Sequence, residues 1–476
     1  MRNFISITSI ILFCIFSFLG FSQGPIIQTK YGKVEGNFNT ETKINIFKGI
    51  PFAAPPIGEL RWKAPVEPNK WKGILSCKEF SASPIQNKPE PFYCWSEEFI
   101  AQPEPLSEDC LYLNVWTSST EKKQKLPVMV WIYGGGFSSG STNCAIYDGE
   151  EMAKKGVVFV SLNYRVGALG FMAHPELSQE ANYGTSGNYG LMDQSFGIKW
   201  VKENIEAFGG DPENITIVGQ SAGSFSVNAQ IASPVSKGLF QKAIAQSGGI
   251  LSGRFTNSLE QAEKLGLELM EKAGVNSLAE LRKIPAGKIQ EISNQVKGGR
   301  FGAILDGYFL PSNIKTYFEE GKQNKVGLMT GWVTGDASLL GAKPEDARKN
   351  LIGFAGLPAH LLSTNNLIQP TYVYEFNYIP VDKPNFPNYG AFHTSEVPFA
   401  LHTLHLWDRP WREIDLKIEE IMSSYWVNFV KTGNPNGNGL PLWKPYEKGD
   451  SILSIEEKIE SVNNDYLKDF LILTNK

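Results

Sequence analysis

One five-residue stretch constrains this chain more than any other. Gly219-Gln220-Ser221-Ala222-Gly223 is a G-x-S-x-G pattern set between an apolar run and a segment that can form a helix. The run before it, Ile215-Thr216-Ile217-Val218, is short, apolar and β-branched, as a buried strand is. The segment after it, Phe225 to Ile231, can continue as a helix. Ser221 therefore falls on a sharp strand-to-helix turn, where its hydroxyl stands exposed as a nucleophile. Glycines at 219 and 223 leave room for that strained turn and for close strand-helix packing.

A second glycine cluster lies upstream. Residues 126–133 read as a buried strand that runs straight into Gly134-Gly135-Gly136-Phe137. Three residues without a Cβ let consecutive backbone N–H groups point at one spot, which a tetrahedral oxyanion requires. Gly135, Gly136 and Ala222 are the candidate donors.

The rest of the chain supplies a scaffold for these two loops. Residues 26–38 read as an opening hairpin, and residues 157–162 and 326–331 as buried strands. Asp193 is placed to cap a helix carrying Phe196, Trp200, Val201, Ile205 and Phe208 on one side. Asp415 is placed to cap another, with Ile418, Met422, Tyr425 and Phe429 at helical spacing and Gly433 just past its end. Strands alternating with helices predict an α/β fold with a large, mostly parallel central sheet and helices on both faces. Catalytic loops then belong at the carboxyl ends of the strands.

With 476 residues and no linker, charge block or repeat, the chain reads as one catalytic unit. Its net charge of -4, with acids and bases interspersed, argues against a nucleic-acid partner. Residues 1–22 read as a signal peptide: a positive start at Arg2, an apolar stretch from Ile10 to Phe21, and small residues at Gly20 and Ser22. The expectation is a mature domain spanning 23–476, exported to the periplasm or secreted, with no stable membrane insertion after cleavage. Cys14 leaves with the leader, so Cys77, Cys94, Cys110 and Cys144 remain in a compartment that permits disulfides.

Taken together, the motifs resemble the type-B carboxylesterase/cholinesterase-like family of α/β-hydrolases, and within it the para-nitrobenzyl-esterase-like bacterial carboxylesterases. The resemblance rests on the two glycine loops and on four more segments: Phe47-Lys48-Gly49-Ile50-Pro51-Phe52-Ala53, Ser107-Glu108-Asp109-Cys110-Leu111, Asn163-Tyr164-Arg165-Val166-Gly167 and Phe208-Gly209-Gly210-Asp211-Pro212. It implies an α/β-hydrolase fold with helical insertions over the site. It also implies hydrolysis of a small-molecule ester, here a neutral alkyl or aryl one, through an acyl-enzyme, with no metal or organic cofactor.

The resemblance places the remaining residues of the site. The acid falls at Asp336, where the family usually has a glutamate, and Asp306 is the alternative. The base falls at His393, in Gly390-Ala391-Phe392-His393-Thr394-Ser395-Glu396, with Glu396 as a supporting acid; His174, His360, His402 and His405 match nothing catalytic. Gln220 stands where cholinesterase-like chains commonly carry glutamate, which removes one negative charge beside the nucleophile. His393 follows Asp336 by only 57 residues, shorter than the family pattern, with sequence missing around Leu362 to Leu367; the expected consequence is either a wider, shallower gorge or a weaker loop behind Asp336. The family's loop disulfide ties the position of Cys110 to one that holds Pro84 here, so the expected pairing is Cys94–Cys110 instead, with Cys77–Cys110 as the rival. Arg61 and Glu108 fall where the family has a buried ion pair.

The other class of function open to such a chain is a non-catalytic binding or adhesion protein of the same fold. Those usually lack the serine or the histidine, and both are present here. The same three side chains could also act on thioesters, amides or polyesters.

Overall fold

A computed structural model describes residues 24–252, 256–336, 369–384, 389–446 and 451–463. The leader 1–22, His360 and the shortened segment around Leu362 to Leu367 lie outside the described residues. An 11-stranded sheet runs through the molecule. In chain order its strands are β1 (Asn37–Phe38), β2 (Asn45–Pro51), β3 (Tyr112–Thr117), β4 (Leu126–Ile132), β5 (Val158–Leu162), β6 (Gly210–Gln220), β7 (Lys242–Gln246), β8 (Gly327–Val333), β9 (Thr371–Phe376), β10 (Ser451–Ile455) and β11 (Ile459–Asn463). Across the sheet they lie in the order β11-β10-β9-β8-β7-β6-β4-β5-β3-β2-β1. The run from β10 to β5 is parallel, and both flanks turn antiparallel.

Burial explains the layers. Every residue of β5, β7 and β8 is buried. Successive strand residues point to opposite faces, so such strands must be covered on both sides. The covering elements include α1 (Tyr189–Asn204), α2 (Ala222–Ala232) and α5 (Glu413–Thr432). Two further helices, α3 (Leu259–Ala273) and α4 (Ala286–Ser293), belong to an insertion between β7 and β8. This is the α/β-hydrolase arrangement.

The structure corrects two helix starts. Asp193 is inside α1 rather than at its cap, because its carboxylate is taken by Arg165, which binds it through Nε at 2.8 Å and Nη2 at 2.6 Å. Asn188 is the cap residue instead. Helix α5 begins before Asp415, whose carboxylate reaches back to accept the Arg412 backbone N–H at 2.7 Å. Gly433 does end this helix, at φ +79, where a side chain would be strained. Arg61, buried, and Glu108, half-buried, form the expected ion pair, with Nε–Oε1 at 2.7 Å and Nη2–Oε2 at 2.5 Å.

The disulfide expectation is also corrected: Cys77, Cys94, Cys110 and Cys144 are all free and buried. Cys94 is held in a tight turn whose ends, Phe92 and Trp95, exchange backbone hydrogen bonds at the mouth of the main cavity. Cys110 lies apart from it, in the small pocket beside Arg61 and Arg165. The Cys77 thiol faces the Gly49 carbonyl and is not joined to Cys110, so the rival pairing is absent too.

Candidate active site

The serine turn is built as its glycines require. Ser221 sits between β6 and α2 at φ +57, ψ −123, a backbone state an L-residue adopts only when its surroundings enforce it. A Cβ on Gly223 would lie 2.0 Å from the Ile132 carbonyl oxygen, and one on Gly219 would lie 2.5 Å from the Gly223 backbone. These glycines let α2 start directly against the end of β4. The Ser221 N–H donates to the Gln246 carbonyl at 2.9 Å, and the Phe225 N–H donates to the Ser221 carbonyl at 2.9 Å, locking the turn from both sides.

The end of β4 delivers the second loop to the same place. A Cβ on Gly134 would lie 3.0 Å from the Ser221 Cβ, so the loop approaches the serine as closely as backbone can. Gly135 and Gly136 follow at φ +108 and +61, consecutive left-handed residues that favour glycine. Tyr133, before the loop, is fully buried and stacks on Tyr164 at 4.4 Å. Each tyrosine donates its hydroxyl hydrogen bond to the other's carbonyl, Tyr133 at 3.0 Å and Tyr164 at 2.9 Å. It anchors the loop from below and lies outside the cavity.

Ser221, Ala222, Gly135, Gly136, His393 and Asp336 all line one cavity of about 740 Å³. His393 Nδ1 lies 2.5 Å from Asp336 Oδ1, and Val333 N–H donates to the other Asp336 oxygen at 3.2 Å. Strand β8 runs to Val333, two residues past the expected end, so the acid sits on a turn of only Thr334 and Gly335 beyond the strand. Gly335 is required there, since a Cβ would lie 2.2 Å from the Ala391 carbonyl in the histidine loop. The structure thus brings Asp336, and not Asp306, to the histidine. Asp306 instead accepts N–H groups from Tyr308, Phe309 and Leu310 and closes its own turn. His174 caps a helix through Nδ1, and His402 bonds Ser423.

Burial works against a charge on His393, but the Asp336 carboxylate beside it prevails and raises its pKa above the ordinary value. Glu396 is fully buried behind it. Burial, reinforced by Asp336 and only partly countered by His393 and Gln246, pushes its carboxyl up to about 8. A carboxyl raised in this way adds stability that is intact below the ordinary 4.5 and is lost as pH rises through about 8. Glu396→Gln is therefore expected to melt higher than the parent, by a margin that widens from pH 5 to pH 8 and then levels off. Melting curves across that range check it, and a margin independent of pH would refute it.

Of the aromatic residues near the site in sequence, Trp95, Phe137 and Phe225 line the cavity. Trp332 instead donates to Glu375, and Phe392 packs on Phe99 and Trp407. Sequence reasoning missed several contributors. Gln86 clamps the glycine loop, accepting the Gly140 N–H and donating to the Gly140 carbonyl, both at 2.9 Å. Gln290 and Ser293 of α4 reach the cavity from the insertion. Thr394 sits at φ +85, unusual for a β-branched residue and the one signal a sequence cannot carry.

A sequence profile of the carboxylesterase family matches residues 23–355 and 353–471. The chain belongs to the carboxylesterase family. It is 33% identical to the para-nitrobenzyl esterase of Bacillus subtilis over 92% of its own length and 97% of that protein. It is 42% identical to the fumonisin B1 esterase of Sphingopyxis macrogoltabida over 64% of its own length, spanning 54% of that enzyme. Among solved structures, a PNB esterase superposes with a TM-score of 0.83 at 29% identity, covering 94% of this chain and 99% of the other. A Geobacillus stearothermophilus carboxylesterase superposes at 0.81 with 28% identity, covering 94% and 99%. This carboxylesterase is a carboxylic ester hydrolase, and its small-molecule substrates are esters. Among the described residues no helix is long and apolar enough to cross a membrane.

Proposed function

We propose that this carboxylesterase hydrolyses neutral alkyl or aryl esters through an acyl-enzyme on Ser221, with His393 as base and Asp336 as its orienting acid. The observation that carries the reading is the hydrogen bond from His393 Nδ1 to the buried Asp336, at the cavity that also holds Ser221. Asp336 keeps the proton on Nδ1, so Nε2 is free to take the Ser221 proton as Oγ attacks the ester carbonyl. The negative oxygen that forms is held by the N–H groups of Gly135, Gly136 and Ala222. His393 returns the proton to the departing alcohol, and water then releases the acid by the same steps.

Substrate class follows from the walls. Trp95, Phe137 and Phe225 offer apolar surface, and Gln220 brings no charge to the space beside the serine. The names of the relatives, para-nitrobenzyl esterase and fumonisin B1 esterase, agree with an enzyme for carboxylic esters. On a panel of aryl esters of graded acyl length, kcat/KM is expected to exceed that for a choline ester of the same acyl group by at least about tenfold. Equal or better turnover of the choline ester would overturn the neutral-substrate reading.

The amino-terminal pattern supports export with cleavage after Ser22 to leave a catalytic domain of 23–476. Sequencing the mature amino terminus tests this, and a chain that still starts at Met1 would refute it.

A further inference from the structure

Two segments far apart in the chain meet at the rim of the main cavity through their carboxamides. Asn87 comes from the loop that follows Gln86, and Gln290 and Asn294 come from α4 and its carboxyl-terminal cap. All three line the cavity; Asn87 and Asn294 are exposed and Gln290 is half-buried. Gln290 Nε2 donates to Asn87 Oδ1 at 3.2 Å and to Asn294 Oδ1 at 3.3 Å. Asn294 Nδ2 donates to Asn87 Oδ1 at 2.8 Å, and Asn87 Nδ2 donates to Asn294 Oδ1 at 3.4 Å.

The bonds within the cluster leave a definite remainder. An amide oxygen has two lone pairs and an amide nitrogen two hydrogens. Each asparagine oxygen already receives from two nitrogens, and each asparagine nitrogen has one hydrogen left over. Two oxygens fix the nitrogen end of Gln290, and among the described residues its own oxygen receives no hydrogen bond. That oxygen lies beside Gly167, which also lines the cavity; a Cβ there would come within 3.2 Å of it, so the glycine leaves it uncovered. Ser293, on the same wall, donates its hydroxyl to the Gln290 carbonyl at 2.7 Å and keeps its lone pairs. The rim therefore offers donors and acceptors side by side.

A hydroxyl group uses both, since it donates one hydrogen and accepts at its oxygen. A carbonyl would use only the donors, and an ammonium only the acceptors. Charge contributes little at this rim. Lys88 and Glu90 pair with each other at 3.2 Å in solvent, and Arg300 is exposed, so water and salt screen all three.

Exposure says which half of an ester meets the cluster. Water takes the place of the departed alcohol before the acyl group is released, so the alcohol side must open to solvent. A different wall of the cavity, Phe99, Ala101 and Tyr147, is buried, and Phe99 is backed by Phe392 and Trp407. That closed, mainly apolar wall suits the acyl group. Resting on the Ser221–His393–Asp336 reading above, we propose that Asn87, Gln290, Ser293 and Asn294 form a subsite for a hydroxylated alcohol, so that the preferred substrates are apolar acyl esters of an uncharged polyol or sugar.

The test compares 6-O-butanoylglucose with cyclohexylmethyl butanoate, which share the acyl group and a ring of equal size, while only the first carries hydroxyls. The parent is expected to give the higher kcat/KM on the glucose ester. Gln290→Met keeps the length of the side chain and removes its acceptor, and the ratio of the two kcat/KM values is expected to fall roughly tenfold, in KM more than in kcat. Asn294→Leu, at the exposed end of α4, is expected to lower the ratio about threefold, and it decides alone should Gln290→Met not fold. A cluster that only ties the loop to α4 would change both esters by the same factor, and that unchanged ratio would overturn the subsite. A parent that prefers the cyclohexylmethyl ester would overturn it as well. In either case a fluorophosphonate that still labels Ser221 leaves the serine mechanism standing. A parent whose Ser221 is not labelled would overturn that mechanism and this inference with it.

Discussion

Ser221→Ala is expected to lower turnover of a neutral aryl ester by about 10,000-fold or more, with binding of the intact ester little changed. The size follows from what the hydroxyl does. Without it no acyl-enzyme can form, and the residual rate is what the oxyanion donors and binding give to attack by water. The fold should not suffer, because the turn is held by backbone: the Ser221 N–H to Gln246, and Phe225 N–H to the Ser221 carbonyl. Alanine tolerates the positive φ no worse than serine. A circular-dichroism melt matching the parent alongside the lost turnover would separate chemistry from folding. Turnover within tenfold of the parent would remove Ser221 from the mechanism.

Gly223→Ala is expected to damage both fold and activity strongly. Its new methyl would lie 2.0 Å from the Ile132 carbonyl oxygen and 2.9 Å from that of Tyr133, both backbone atoms that cannot swing aside. Either β4 or the start of α2 must move, at a cost of about 3 kcal/mol or more. The same movement displaces Ser221 from the glycine loop, and misplacement by about 1 Å costs on the order of 100-fold in rate. Gly287→Ala is the control. It lies in α4 at ordinary φ with nothing near its Cβ, and it should be neutral or stabilising by about 0.5–1 kcal/mol. Thermal melts and turnover of the two variants decide the matter, and comparable behaviour of both would refute the packing account.

Much of this site is legible in residue order because its parts are local. The strand-turn-helix around Ser221 needs small residues at 219 and 223, and the structure shows the backbone contacts that demand them. The buried strands ran where apolar β-branched stretches place them, with shifts of a residue or two at their ends. Helix starts were misread where a carboxylate had a better partner than a backbone N–H: Arg165 draws Asp193 into the body of α1. The cysteine pairing failed because a family habit was carried onto a loop that folds differently, with Cys94 in the turn between Phe92 and Trp95 and Cys110 in a separate small pocket beside Arg61 and Arg165. Gln86 and the α4 side chains were invisible because they meet the site from far along the chain, and so was the partner that Thr394, next to His393, finds in Trp95. The Trp95–Thr394 bond alone spans 299 residues, and no local pattern encodes such a contact.

The central claim is that Ser221 becomes acylated with the help of His393. The most direct measurement is peptide mapping by mass spectrometry after brief exposure to a fluorophosphonate, on the parent, Ser221→Ala and His393→Ala. The account predicts one adduct, on the peptide containing Ser221, absent in Ser221→Ala and formed at least ~100-fold more slowly in His393→Ala. An adduct on another residue with full loss of ester turnover, or labelling of Ser221 at the parent rate without His393, would contradict it.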